Sequence, residues 1–171
     1  MLEKVLKFAI KHHGNQLYGS LPYSFHLTQV FDICKPYGII AQILAILHDV
    51  KEDTHVTDEE ILELLYSLDD IPSGKEQFIL ESIHYISDEK GKNRKERKQK
   101  TNEKLSKIKE EFFVVLIVKV ADRLCNTKHS VESKSTLLEM YQREYTEFKK
   151  AVYREGLCDL LWIELDQLMQ K

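Results

Sequence analysis

Within seven residues, His48-Asp49-Val50-Lys51-Glu52-Asp53-Thr54, the chain sets down one imidazole and three carboxylates. They close an apolar run, Ile43-Leu44-Ala45-Ile46-Leu47, that reads as a buried helix. Charge at the edge of a core needs a partner, because a desolvated carboxylate without one is pushed to its neutral form or destabilises the fold. A divalent metal is the simplest partner for such a group. On a continuous helix His48 and Glu52 share a face, whereas His48 and Asp49 lie about 100° apart around the axis. Two neighbours so arranged reach one metal only if it sits beside the helix end and other elements close the shell. Further ligands must come from elsewhere in the sequence.

The elements that have to supply them read as helices. Leu2, Val5, Leu6, Ala9 and Ile10 follow the 3.6-residue period, and Gly14 ends that helix. Asn15 to Pro22 is a loop. Tyr23 to Cys34 forms a second helix with Leu27, Val30, Phe31 and Cys34 as its stripe, and Pro36-Tyr37-Gly38 turns the chain into a central helix over 39–51. Thr57-Asp58-Glu59-Glu60 is a capping-box pattern that starts the next helix. Asp69 to Gly74 breaks the chain, and a helix runs over 76–86. From Ser87 to Lys100 the sequence is polar and strongly basic, a loop followed by a candidate exposed helix from Asn93. Phe112 to Asn126 is a second helix apolar around much of its circumference, and near its end it carries Asp122, Arg123 and Asn126. A long helix begins at Ser135 or Thr136 with Leu137, Met140, Tyr141, Tyr145, Phe148 and Val152 as its stripe. Gly156 stops it. A last helix from about Asp159 carries Leu160, Leu161, Ile163, Leu165, Leu168 and Met169. The expectation is an all-α, single-domain bundle over residues 1–171 with two buried central helices.

Composition narrows the function classes. With 43% hydrophobic and 31% charged residues and a net charge of -3, the chain reads as a globular protein that is not built to coat nucleic acid. The 6 glycines and 3 prolines leave few strand-turn signals. Three widely spaced cysteines, at 34, 125 and 158, disfavour both disulfides and a thiolate zinc site, as a reducing compartment would have it. The amphipathic start reads as neither a signal peptide nor a membrane span, so the expected location is cytoplasmic, with no membrane partner.

A shell then assembles from three elements: His26 in the second helix, His48 and Asp49 at the end of the first apolar helix, and Asp122 near the end of the second. Two imidazoles and two carboxylates suit a first-row dication, with Mn, Fe and Zn all compatible. Such a cation lowers the pKa of bound water and polarises a phosphorus-bound oxygen. Glu52 and Asp53 are the catalytic candidates, one taking or orienting the proton of attacking water and the other supporting it or protonating the leaving oxygen. Asn126, one turn past Asp122, is placed to donate to a bound ligand. His12, His13, His55, His84 and His129 are expected to be surface or satisfied histidines.

Three segments resemble the HD-domain phosphohydrolases, and within them the alarmone (guanosine tetraphosphate, ppGpp) hydrolases: the hydrolase domain of the Rel/Spo proteins and the stand-alone small alarmone hydrolases. Pro22-Tyr23-Ser24-Phe25-His26 is similar to that family's Pro-Tyr-x-x-His. Leu47 through Thr54 is similar to its Leu-His-Asp-x-x-Glu-Asp-Thr, and Val118 through Asn126 to its Lys-Leu-Ala-Asp-Arg-x-x-Asn. The matched region spans about residues 5–130. The resemblance implies the helical HD fold and one Mn bound by His26, His48, Asp49 and Asp122. It implies hydrolysis of a 3'-pyrophosphate by Glu52 and Asp53, and nucleotide contact by Asn126. Arg123, Lys128 and Tyr18 join Asn126 as substrate-binding candidates, as do Arg94 and Lys95, because the stand-alone hydrolases carry a basic stretch there.

The chain departs from the family where the base is read. The arginine that packs on guanine falls at Leu17 and the lysine after it at Tyr18, whose ring offers a stacking face instead. Lys128 and His129 stand where the family has Arg and Thr. The expected partner is a phosphorylated nucleotide, and the leading activity is 3'-pyrophosphohydrolysis of guanosine tetra- or pentaphosphate. The alternatives are an HD phosphohydrolase acting on another nucleotide or dinucleotide phosphate, and a non-catalytic nucleotide-sensing module.

Overall fold

A computed structural model describes residues 1–69, 71–72 and 74–170. Asp70 and Ser73, which belong to the expected break at 69–74, lie outside the described residues. The helical HD fold that the motifs imply is the fold observed: the described residues are α-helical apart from short turns and one two-residue ladder. They pack into two compact units, Met1–Ser87 and Asp88–Lys171.

The first unit is built around α3 (Gly38–Leu47), which touches α1 (Leu2–His13), α2 (Tyr23–Cys34) and α6 (Glu76–Ile86). Ala41 and the whole of Ile43–Leu47 are buried, so α3 is apolar on nearly every side because it has a neighbour on nearly every side. A three-residue 3-10 turn, Lys35–Tyr37, joins α2 to α3, and Gly38 supplies the positive φ of 88° needed to leave it. The segment Tyr23–Asp53 is apolar enough by composition to cross a membrane, with a mean hydropathy of 1.6 over its richest window. It is not one rod: the 3-10 turn and a second break at His48–Asp49 divide it, and α2 folds back on α3.

The expected loop over 15–22 contains a tight antiparallel ladder, β1 (Leu17–Tyr18) against β2 (Leu21–Pro22), which leads directly into α2. The capping box forms as expected. Thr57 Oγ1 accepts from the Glu60 N–H at 3.2 Å and Glu60 Oε2 accepts from the Thr57 N–H at 2.8 Å, which starts α5 (Asp58–Tyr66).

The central helix differs from expectation. It ends at Leu47 rather than at 51, and after His48 and Asp49 a separate turn, α4 (Val50–Asp53), begins. His48 itself explains the break. Its Nδ1–H donates to the Ala45 carbonyl at 2.8 Å, satisfying one of the oxygens that a helix end leaves without a partner.

The second unit holds α7 (Arg94–Ser106), α8 (Phe113–Glu132), α9 (Leu137–Val152) and α10 (Asp159–Met169), with a 3-10 turn at Glu110–Phe112 ahead of α8. Both α7 and α8 pack on α9, and α10 packs on α8 and α9. The last two helices bury less than their sequence stripes suggest. Leu137, Leu160 and Ile163 are exposed, while Phe148, Trp162, Leu165 and Leu168 form the interior.

The basic α7 is not simply a solvated face. Asn93 caps it, its side chain accepting from the Glu96 N–H, and Thr101 and Leu105 are buried. Lys98 donates to Asp88 at 2.5 Å, and Lys119 of α8 lies 3.7 Å from the same carboxylate. Burial opposes ionisation of Asp88, but Lys119 and Lys98 outweigh it and hold the carboxyl below its ordinary range. Lys98 is also held low, by burial first and then by Lys119. One carboxylate serves two ammonium groups, so the anion gains more than either cation. The acid response of this cluster therefore follows Asp88.

Two outcomes follow. The stabilisation from Asp88 is complete above the unfolded aspartate value and is lost as pH falls through its depressed folded value. The acid limb of a Tm–pH curve is expected to flatten in Asp88→Asn. A Cβ added at Gly91 would lie 2.8 Å from the Arg97 backbone nitrogen, so Gly91→Ala is expected to cost about 1–3 kcal/mol in urea unfolding.

Candidate metal centre

Three donors meet in the first unit. His26 comes from the first turns of α2, and His48 and Asp49 from the break after α3. Both imidazoles are 1% exposed, and their Nε2 atoms are 3.2 Å apart. Asp49 Oδ2 lies 2.8 Å from His48 Nε2 and 3.8 Å from His26 Nε2. The helix break makes this possible. It turns Asp49 away from the α3 spiral and brings its carboxylate back over the imidazole of its own neighbour.

The proton inventory favours a cation. His48 Nδ1 carries a hydrogen, because its partner is a carbonyl. The neutral ring then presents a lone pair at Nε2, facing another ring nitrogen and a carboxylate oxygen. Two imidazole nitrogens and a carboxylate oxygen, with one ring's tautomer fixed by a backbone carbonyl, suit a divalent metal.

Two aromatic residues hold the cluster. Tyr23 donates its hydroxyl to Asp49 Oδ2 and sets its ring edgewise to His26 at 5.5 Å. Tyr18, on β1, stacks on the His26 ring at 4.6 Å and 22°. The sequence singles out Tyr18 as a stacking face for a base, and one face of that ring is given to His26. Leu17, where the family has its guanine-packing arginine, is 61% exposed.

Glu52 and Asp53 follow on α4 and are both exposed. Asp53 Oδ2 accepts from Gln16 Nε2 at 2.7 Å. Neither Gln16 nor the buried His13 behind it was singled out by the sequence. Tyr23 was quoted only as part of a motif, although its position one turn before His26 puts the two on one face of α2.

In the second unit Asp122 and Asn126 sit one turn apart on α8, and Asn126 donates to Asp122 Oδ1 at 2.5 Å. Arg123 is buried. Its guanidinium lies 4.7 Å from the ring centres of both Tyr141 and Phe148 and 3.2 Å from Glu144 Oε2. That environment commits Arg123 to packing α8 on α9.

Arg94 makes a two-pronged contact to the same Glu144, at 2.7 and 3.1 Å. Burial works against the Glu144 carboxylate, but hydrogen bonding from Arg94 and the Arg123 charge outweigh it and hold its pKa low. Lys128 pairs with Glu164 at 2.7 Å. Lys95 is exposed and lines a groove of about 560 Å³ between α7 and α9, together with Arg143, Glu147 and Lys150. Neither Asp122 nor Asn126 lines that groove.

Removing the Tyr23 hydroxyl tests how Asp49 is held. Tyr23→Phe is expected to weaken Mn binding by about tenfold in calorimetry, the usual cost of losing a group that orients a ligand. Little change in Tm is expected.

No protein-family model matches the sequence, and no curated protein matches it. Among solved structures the chain is similar to one described as a metazoan ortholog of SpoT that hydrolyzes ppGpp and plays a role in starvation responses. The likeness has a TM-score of 0.78 at 21% identity and covers 99% of this chain and 93% of the other. At that identity the likeness speaks for the fold: this chain is folded as that ppGpp hydrolase is, in the helical HD architecture that its three motifs resemble.

Proposed function

We propose that the chain is a metal-dependent phosphohydrolase that removes pyrophosphate from the 3' position of guanosine tetra- or pentaphosphate. The observation that carries this reading is the meeting of His26, His48 and Asp49 immediately before an exposed carboxylate pair. Asp122, from the Ala-Asp-Arg motif, is the fourth ligand in this reading. A divalent cation held by these residues, with Mn as the leading candidate, would supply Lewis-acid charge to a phosphoryl oxygen and acidify water.

The chain's own groups do the rest. Glu52 takes the proton of the attacking water, and Asp53 supports Glu52 or returns a proton to the departing ribose oxygen. Water adds at the β-side phosphorus, the bond from that phosphorus to the 3' oxygen breaks, and pyrophosphate leaves. Asn126 donates to the nucleotide. Lys128, Arg94 and Lys95 are the candidate phosphate contacts, and Tyr18 is the candidate base contact. Arg123 belongs to this set by motif and acts from the interior of its own unit. The reaction is cytoplasmic, needs no membrane and involves no nucleic acid.

One observation favours a second reading. With the exposed aliphatic Leu17 where a guanidinium is usual, the base contact differs from the family's, which suits another nucleotide or a dinucleotide phosphate on the same machinery.

A substrate panel in Mn, scored for pyrophosphate against orthophosphate, tests both readings. Pyrophosphate from ppGpp supports the first, and orthophosphate alone from several nucleotides supports the second. Nucleotide binding without turnover would indicate a sensing module. Glu52→Ala is expected to lower kcat by about 10²–10⁴ while keeping Mn affinity. Asp122→Ala is expected to lose both.

A further inference from the structure

Asp53 sits at an exposed helix end, where a carboxylate ordinarily samples several rotamers. Here it is held. Gln16 Nε2 donates to Asp53 Oδ2 at 2.7 Å, and Gln16 Oε1 is 2.8 Å from His13 Nδ1. We infer that Gln16 is a positioning residue that fixes the Asp53 carboxylate, with the polarity of its amide dictated by His13. The inference rests on the hydrolase reading for what Asp53 does, and on geometry alone for how it is held.

The hydrogen bonds allow one arrangement. A carboxylate only accepts, so Gln16 must turn its NH2 toward Asp53 and its oxygen toward His13. That oxygen only accepts in turn, so His13 must carry its hydrogen on Nδ1. The other neutral tautomer would set two acceptors face to face at 2.8 Å. It would also bury an N–H at Nε2, which meets no hydrogen-bond partner.

The ends of the relay are anchored. His13 is 7% exposed, and its ring lies 4.5 Å from that of Tyr23, the residue whose hydroxyl holds Asp49. Gln16 is pinned through its backbone as well. Its N–H donates to the His13 carbonyl and its carbonyl accepts from the Tyr23 N–H, both at 3.0 Å. An amide fixed at both backbone groups and at its oxygen has little freedom left. Its hydrogen bond therefore selects one Asp53 rotamer and leaves Oδ1 for proton handling.

The test uses the whole chain with Mn and ppGpp. Gln16→Met keeps the length of the side chain and removes both hydrogen bonds. It is expected to lower kcat by about tenfold or more, with KM and calorimetric Mn affinity little changed. His13→Leu should reproduce that loss. His13→Asn should restore most of it, because the asparagine Nδ2 occupies the place of His13 Nδ1. Long-range ¹H–¹⁵N correlations, recorded without substrate, should show His13 protonated at Nδ1 in the wild type.

Wild-type kcat in Gln16→Met overturns the inference. So does a His13→Asn protein that folds normally yet falls as far as His13→Leu, which would mean that the ring only fills space. A wild type protonated at Nε2 overturns it as well. If the wild type lacks turnover, it is the hydrolase reading that fails, and the tautomer then decides the relay by itself.

Discussion

The first unit is organised around an electrostatic conflict. Two ring nitrogens stand 3.2 Å apart with a carboxylate oxygen 2.8 Å from one of them, and both rings are almost wholly withheld from water. A backbone carbonyl fixes the tautomer of His48, so its lone pair cannot be turned away by moving a proton around the ring. Converging donors in a dry place are unfavourable by themselves, and positive charge resolves them. The surrounding structure holds the convergence in place. The hairpin of α2 and α3 brings the rings together, the break after Leu47 swings Asp49 into range, and Tyr23 keeps it there.

Much of this was legible in the sequence. Alternating apolar and polar character gave the helices, and the Pro-Tyr-x-x-His, His-Asp and Ala-Asp-Arg segments gave the ligand candidates. The break at His48–Asp49 was not legible, because Ile43 through Lys51 keeps a good helical pattern and the stop comes from a side chain bonding back to a carbonyl. Periodicity reports which face is apolar, not where a capping imidazole ends the spiral. Gln16 and His13 were missed for a similar reason. Their roles depend on a short ladder and a turn that bring positions 37 residues apart into contact, and no local spacing encodes that.

The second unit shows the opposite limit of reading by composition. A run of cations from Lys90 to Lys107 suggests a surface waiting for phosphate. In the fold Arg94 is held by Glu144, Lys98 by Asp88, Lys104 by Glu89, and Lys100 and Lys107 by acids on their own helix. Arg123 belongs to the same economy: a buried guanidinium between two rings and a carboxylate is a structural element, whatever its motif. Net charge along a segment says little about available charge until the counter-ions supplied by the chain itself are counted.

That self-neutralisation changes what docking on α7 would be. An anion arriving there does not land on vacant positive charge. It has to displace a resident carboxylate, so association becomes an exchange between two anions and not a simple addition. Exchange of this kind favours guests of high valence, which can replace several carboxylates at once, and leaves singly charged solutes at a disadvantage. Such a helix acts as a threshold on multivalency, indifferent to the salt of its surroundings and responsive to clustered phosphate.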